Sequence, residues 1–158
     1  MAINYGGIMY FPLNVNFFDD APIELVEAKC GLAGITAVIK LLCKMYKEKG
    51  YYLLWDKEQC TLFAHKTGIE ETNMEKIICI LIDKGFFDRK YYEEQYVLTS
   101  ATIQKVWLEA TKRRKRDLNT LPYLLESCIQ DEENSIPNKE YCMQTFHPKM
   151  QTFPNKVK

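Results

Sequence analysis

The sequence predicts a mainly α, α+β fold: a winged helix-turn-helix domain with a small two- to three-stranded wing, followed by a disordered tail. Three observations lead to this prediction. Two helical patterns meet at a glycine turn, short β-type runs follow the second helix, and the apolar periodicity stops after residue 116. The predicted parts are a flexible arm (1–9), the winged-helix domain (10–116) and a linker-like disordered tail (117–158).

The predicted helix-turn-helix is centred on Gly68. Asp56 can cap the first helix, with Gln59 three residues later to complete a capping box, and Gly68 can take the left-handed conformation that closes it. The second helix begins near Glu71 and ends at Gly85. Its apolar face is formed by Met74, Ile77, Ile78, Leu81 and Ile82. This spacing predicts two helices that cross at a tight turn.

The elements before this unit are predicted from caps and periodicity. A helix begins at Asp19 or Asp20, with Pro22 just inside it, and continues to Gly31. A central packing helix follows over residues 32–49. Residues 10–18 are expected to lie extended over the core, and residues 51–54 to form a short strand that pairs with the hairpin further on.

The wing is predicted between residues 86 and 98. Residues 86–88 and 95–98 are the strand candidates, and the loop 89–94 between them would be the wing. Arg89 and Lys90 in this loop could contact a phosphate. The neighbouring tyrosines could equally pin the hairpin to the core.

The densest basic stretch in the chain follows the last predicted helix, which Ser100 or Thr99 caps. It consists of five consecutive cations: Lys112, Arg113, Arg114, Lys115 and Arg116. Cations in the last turns of a helix complement its dipole, which is one interpretation. The other is that they neutralise phosphates and give DNA affinity without sequence preference.

The second helix of the turn offers two further kinds of site. Asn73 and Lys76 could read base edges, although Glu70, Glu71, Glu75 and Asp83 make that helix net negative. Its apolar residues exceed what one core needs, which predicts a protein-interaction or self-association surface. The residues of that surface are Met74, Ile77, Ile78, Ile80 and Leu81.

The composition narrows the class of protein. The net charge is zero, but residues 1–98 carry 11 Lys/Arg against 14 Asp/Glu, a net of −3, and residues 99–158 carry 10 against 7, a net of +3. The six cysteines form no C-x-x-C pair and are expected to be reduced in a cytoplasmic protein. Common enzyme motifs are absent, so no catalytic residue, metal, cofactor, small-molecule substrate or membrane is expected.

Residues 10–115 resemble the Lin-type N-terminal domain of DnaD-like replication proteins of bacteria and their prophages. The matching motifs are FPLNVNFFDD, GYYLLW, LTS and EATKRRK. The resemblance implies a winged helix and a link to replication initiation, with a helicase or helicase loader as partner. It also implies that a helical DNA-binding domain follows the linker in such proteins.

Two functions are weighed on this basis. The first is direct DNA binding within a phage or prophage primosome, and the second is a protein-association or oligomerisation module that brings replication partners together. A winged-helix transcriptional regulator is a further alternative. The preferred hypothesis combines the first two, with association by the domain and non-specific DNA contact by residues 112–116.

Overall fold

The computed structural model describes residues 6–134 as a mainly helical fold with a small antiparallel sheet. The chain order is α1 (Ala21–Glu48), β1 (Leu53–Leu54), α2 (Lys57–Thr67), α3 (Glu71–Asp83), α4 (Arg89–Gln95), β2 (Val97–Leu98), α5 (Ala101–Ala110) and α6 (Glu126–Asn134). Short 3-10 turns lie at Phe17–Asp19 and Leu118–Thr120. The predicted combination of many helices and a small sheet is confirmed.

Helix α1 is kinked at Gly31, where the predicted break between two helices falls. Gly31 has φ 67° and ψ −161°, a conformation that glycine adopts without the steric cost of a Cβ. Pro22 lies in the first turn, as predicted. The second half of α1 packs against α3 and supplies Val38, Leu41 and Met45 to the core.

Helices α2 and α3 form the predicted helix-turn-helix. Asp56 Oδ1 accepts a hydrogen bond from Gln59 N at 2.8 Å and so caps α2. Gly68 follows α2 with φ 73°, and its N–H donates to the carbonyls of Ala64 and His65. The caps read from the sequence therefore set the helix ends.

The predicted wing is wrong, because residues 89–95 form helix α4 instead of a loop. Asp88 Oδ1 accepts from Tyr91 N at 2.9 Å and caps this helix, and Tyr96 ends it in the left-handed conformation with φ 54°. Residues 86–88 form no strand; Asp88 N donates to Thr99 O at 2.7 Å. The sheet pairs β1 with β2, in the register Leu53 to Leu98 and Leu54 to Val97, which confirms the predicted pairing of the strand within 51–54 with the strand within 95–98.

The folded chain continues past Arg116, which differs from the predicted domain boundary. Leu124 and Cys128 are buried in the core, and helix α6 lies against α5. Fully buried Gln104 holds this segment through two hydrogen bonds: Nε2 donates to Tyr123 O (2.8 Å), and Oε1 accepts from Leu125 N (2.8 Å). Gln104 Nε2 also donates to Thr99 Oγ1 (3.0 Å). Residues 135–158 of the predicted tail lie outside the described residues.

The predicted arm is also attached to the core where the structure describes it. Ile8 N donates to Tyr46 O at 2.8 Å, and Gly6 O accepts from Trp107 Nε1 at 2.6 Å. Gly50, with φ 95°, permits this approach, because a Cβ there would overlap the Trp107 ring and the Gly6 carbonyl. Residues 1–5 of the arm lie outside the described part of the chain.

The described cysteines are free thiols in three kinds of environment. Cys60 and Cys128 are buried, Cys30 is half-buried, and Cys43 and Cys79 are exposed. Burial, with smaller contributions from Glu75 and Glu71, raises the pKa of the Cys60 thiol to about 11. Packing therefore accounts for Cys60 and Cys128. It does not account for the two exposed thiols.

Candidate functional site

The predicted interaction residues of α3 are buried within one chain. Met74, Ile77, Ile78, Ile80 and Leu81 are each 0–7 % exposed. Helix α1 covers one side of α3 and α2 covers another. The apolar residues of α3 are thus covered by other helices of the same chain. They leave no apolar face on α3 that needs a second subunit.

The outer face of α3 is acidic where a DNA-reading helix would be basic. Asn73 and Lys76 are exposed, as a base-reading role requires, but Glu75 and Asp83 are exposed on the same helix. Glu71, at its start, accepts from Thr61 Oγ1 at 2.8 Å. Carboxylates on this face would repel phosphates that flank the groove.

Arg89, predicted to contact phosphate from a wing, is held by two carboxylates. Its guanidinium lies 2.9 Å from Asp83 Oδ1 and 3.5 Å from Glu93 Oε1. Lys90 is exposed at the start of α4. Arg89 therefore links α4 to the end of α3. Of the two residues predicted to contact phosphate, Lys90 is the one that forms no ion pair with the described residues.

The basic stretch, residues 112–116, forms a turn after α5, since the helix ends at Ala110. Lys112 is exposed and pairs with Glu109. Arg113 and Lys115 are exposed, and within residues 6–134 neither has an ion-pair partner. Arg114 Nη1 donates to Gly7 O at 3.0 Å. The five cations therefore differ in how far they can reach a ligand.

Arg116 has a structural role and is a poor candidate for DNA contact. Its side chain is 12 % exposed and pairs with Glu132 at 2.8 Å. It also donates to Leu108 O at 2.9 Å and to Thr111 Oγ1, with its guanidinium 5.6 Å from the centre of the Trp107 ring. For this residue the helix-terminus interpretation holds, because Leu108 O is one of the last carbonyls of α5.

A cleft of about 370 Å³ lies beside the basic stretch. We call it the basic cleft, and its lining includes Lys49, Tyr52, Trp107, Arg114, Lys115 and Leu121. Its wall is braced by Tyr51, whose hydroxyl donates to Pro122 O at 2.7 Å. Burial, with nearby Tyr52, Tyr123 and Tyr91, raises the pKa of Tyr51, so the hydroxyl keeps its proton and remains a donor at neutral pH.

Lys49 is the residue of this site that sequence reasoning missed. It follows the last residue of α1, and the fold places it in the same cleft as Arg114 and Lys115, which come 65 and 66 residues later. No motif marks this approach. The one local signal is Gly50, whose positive φ lets the chain turn close to Trp107.

The described residues contain neither a candidate metal site nor a candidate membrane-spanning helix. Within residues 6–134, no group of three or more His, Cys, Asp or Glu side chains could hold a metal ion. No helix among them has the length and apolar character needed to cross a bilayer. The basic cleft and the adjoining basic stretch are therefore the candidate site that remains.

The fold and the site define a small, mainly helical domain with a helix-turn-helix unit and a basic cleft. The chain belongs to the Lin1244/Lin1753-like, N-terminal family, whose model matches residues 10–103. The matched range contains the helix-turn-helix and Lys49. It ends before the basic stretch.

A relative from Listeria innocua serovar 6a supports this membership. It is described as an uncharacterized phage-related protein Lin1244/Lin1753 and is 32 % identical over 119 residues, which cover 75 % of this chain and 39 % of the relative. The match thus spans about two-fifths of that protein's length. No solved structure matches the chain.

Proposed function

We propose that this chain is a component of phage or prophage replication initiation that acts in the cytoplasm by protein association and by non-specific contact with DNA. The phage link is supported by the relative's description. The replication link rests on the resemblance to DnaD-like winged-helix proteins, and the helix-turn-helix is compatible with it. A helicase or helicase loader is the partner that this proposal implies.

The observation that carries the DNA contact is the exposure of cations at one end of the fold. Lys112, Arg113 and Lys115 are exposed in the turn after α5. Lys49 is exposed as well and lines the basic cleft together with Lys115. Lysine and arginine that neutralise phosphates release counterions, which provides affinity without reading bases. The acidic outer face of α3 favours this mode over major-groove reading, so a transcriptional regulator is the less supported alternative.

Protein association is supported by a different surface from the one predicted. The segment over residues 9–18 is anchored by Phe11, stacked on Tyr46 with ring centres 4.5 Å apart, and by buried Phe17. On either side of these anchors and between them, the segment exposes large apolar side chains: Met9, Tyr10, Leu13, Val15 and Phe18. Clustered exposed apolar side chains are typical of protein-binding surfaces.

The DNA contact is tested by neutralising three cations of the basic stretch. Changing Lys112, Arg113 and Lys115 together to Gln is expected to weaken binding evenly across sequences. It should also lower the salt slope by about 0.9 for each lost duplex phosphate contact. Fluorescence anisotropy with labelled DNA of several sequences, titrated over a salt series, measures both quantities.

A matched control distinguishes the loss of a specific binding site from the loss of overall positive charge. Changing Lys29, Lys40 and Lys57 to Gln removes the same charge from exposed positions elsewhere and is expected to leave binding nearly unchanged. If instead Asn73 or Lys76 variants abolished sequence preference while the triple cluster variant bound normally, α3 would be the reader. Absence of any DNA binding at roughly 50 mM salt would remove the DNA part of the proposal and leave the association module.

A further inference from the structure

We propose that the basic cleft binds single-stranded DNA, with the phosphates on Lys49 and Lys115 and one unpaired base against Tyr52. This inference rests on the proposed function and assigns its DNA contact to a defined place and strand type. Lys49 and Tyr52 come from the region around β1, and Lys115 comes from the turn after α5. The site therefore exists only in the folded chain.

The charges around the cleft favour a polyanion. Of its two acidic lining residues, Glu48 is paired with Lys44 at 2.7 Å, and Asp117 accepts a hydrogen bond from Asn119 N at 3.0 Å. Glu48 is thus neutralised by its partner, whereas Asp117 keeps its single negative charge. By contrast, neither Lys49 nor Lys115 has an ion-pair partner among residues 6–134.

Arg114 and Arg116 also line the cleft, but both side chains are held by contacts within the fold. Arg116 is neutralised by Glu132, so its charge does not add to the attraction. Arg114 Nη1 donates to the Gly7 carbonyl, so this side chain is held in the wall of the cleft. The positive charge of the cleft therefore comes mainly from Lys49 and Lys115, which the described ion pairs do not neutralise.

The shape and the aromatic lining distinguish a single strand from a duplex. A duplex turns its bases inward, so a base can enter a cleft only when it is unpaired. The cleft volume of about 370 Å³ lies in the range of small-molecule pockets and suits one nucleotide unit. Half-buried Tyr52 lines it, and aromatic side chains beside cations are the usual platform for unpaired bases.

The test measures binding of a labelled thymidine 20-mer, and of a duplex of the same length, to the full chain at roughly 50 mM salt, where electrostatic contacts are strong. Lys49→Gln is expected to weaken single-strand binding several-fold and to lower the salt slope by about 0.7. Lys40→Gln changes an exposed lysine of α1 that lies outside the cleft; it is the matched control and should bind as the wild type.

A second pair of variants tests the base contact. Tyr52→Leu removes the ring and is expected to weaken thymidine 20-mer binding about fivefold or more, whereas Tyr52→Phe keeps the ring and should retain it. An abasic 20-mer should be insensitive to both changes. Thermal unfolding of each variant shows whether a loss of binding is instead a loss of folding.

The outcomes separate the two proposals. If the triple variant of the basic stretch loses affinity while Lys49→Gln and Tyr52→Leu bind normally, the cleft proposal is overturned and the proposed function stands. Equal binding of duplex and single strand, or tighter binding of a uridine 20-mer, also overturns it. If no nucleic acid binds at all, the cleft proposal and the DNA part of the proposed function both fail, and the association module is left.

Discussion

The guanidinium of Arg116 lies 2.8 Å from the carboxylate of Glu132 and ties the turn after α5 to helix α6. Both side chains are largely buried, at 12 % and 28 % exposure. Because a partly buried pair is screened less than a surface pair, this contact should hold the C-terminal helix in place.

Glu132→Gln is expected to lower the free energy of unfolding by about 1–2 kcal/mol, since it leaves a mostly buried guanidinium without its counter-charge. Lys105→Gln is the control. It removes an exposed pair with Asp131, which also joins α5 to α6, and should lower the free energy of unfolding by less than Glu132→Gln does. Urea unfolding of both variants measures the difference. Equal losses would show that the Arg116 pair has no special role.

Gln104→Leu is expected to release the segment that follows residue 116. It leaves Tyr123 O and Leu125 N without their partner, at about 1–3 kcal/mol for each buried group that stays unsatisfied. Limited proteolysis should then cut the variant near residue 116, whereas the wild type stays protected through α6. Gln95→Leu, at an exposed position, should digest as the wild type does. Cleavage of the wild type near residue 116 would support the shorter domain, ending at that residue, that the sequence predicted.

Asp88→Ala is expected to weaken helix α4, because it removes the side-chain acceptor for Tyr91 N. The expected loss is about 1 kcal/mol, the usual effect of an N-cap. Asp56→Ala, the equivalent change at the start of α2, provides the comparison. Thermal unfolding followed by circular dichroism measures both. A loss at Asp56 but none at Asp88 would support a loop at residues 89–94.

Self-association, if the proposed association includes it, should run through the exposed apolar side chains of residues 9–18. Val15→Lys is expected to shift the chain toward monomer, because Val15 is 93 % exposed and a charge there opposes burial. Leu32→Lys, at an exposed position on α1 outside this segment, is the control. Sedimentation velocity at micromolar concentration measures the distribution. A chain that is monomeric throughout would limit the proposal to association with other proteins.

Local chemistry predicted the helix-turn-helix well, because its caps act within a few residues. Asp56 and Gly68 each make the hydrogen bonds expected from their positions. The same reasoning applied to Asp88 would have favoured a helix at residues 89–95. The neighbouring aromatic residues suggested strands instead, and seven residues are too few for periodicity to decide.

Contacts between distant residues could not be predicted from the sequence. Gln104 holds residues 123 and 125, and the acidic composition of α6 concealed the apolar pair Leu124 and Cys128 at helical spacing. Likewise, the apolar run over residues 77–82 of α3 indicated a surplus apolar face, but whether such a face is covered depends on where α1 and α2 lie. Lys49 belongs to the basic cleft for the same reason.

The bonds from Trp107 to the Gly6 carbonyl and from Arg114 to the Gly7 carbonyl fasten the beginning of the described chain to the rim of the basic cleft. Because residues 6 and 7 are held there, an affinity tag fused a few residues ahead of them would be tethered to this rim. A polyhistidine tag there could itself bind phosphate or compete for the cleft. Binding experiments on this protein are best made with the tag cleaved, or with the label carried by the DNA.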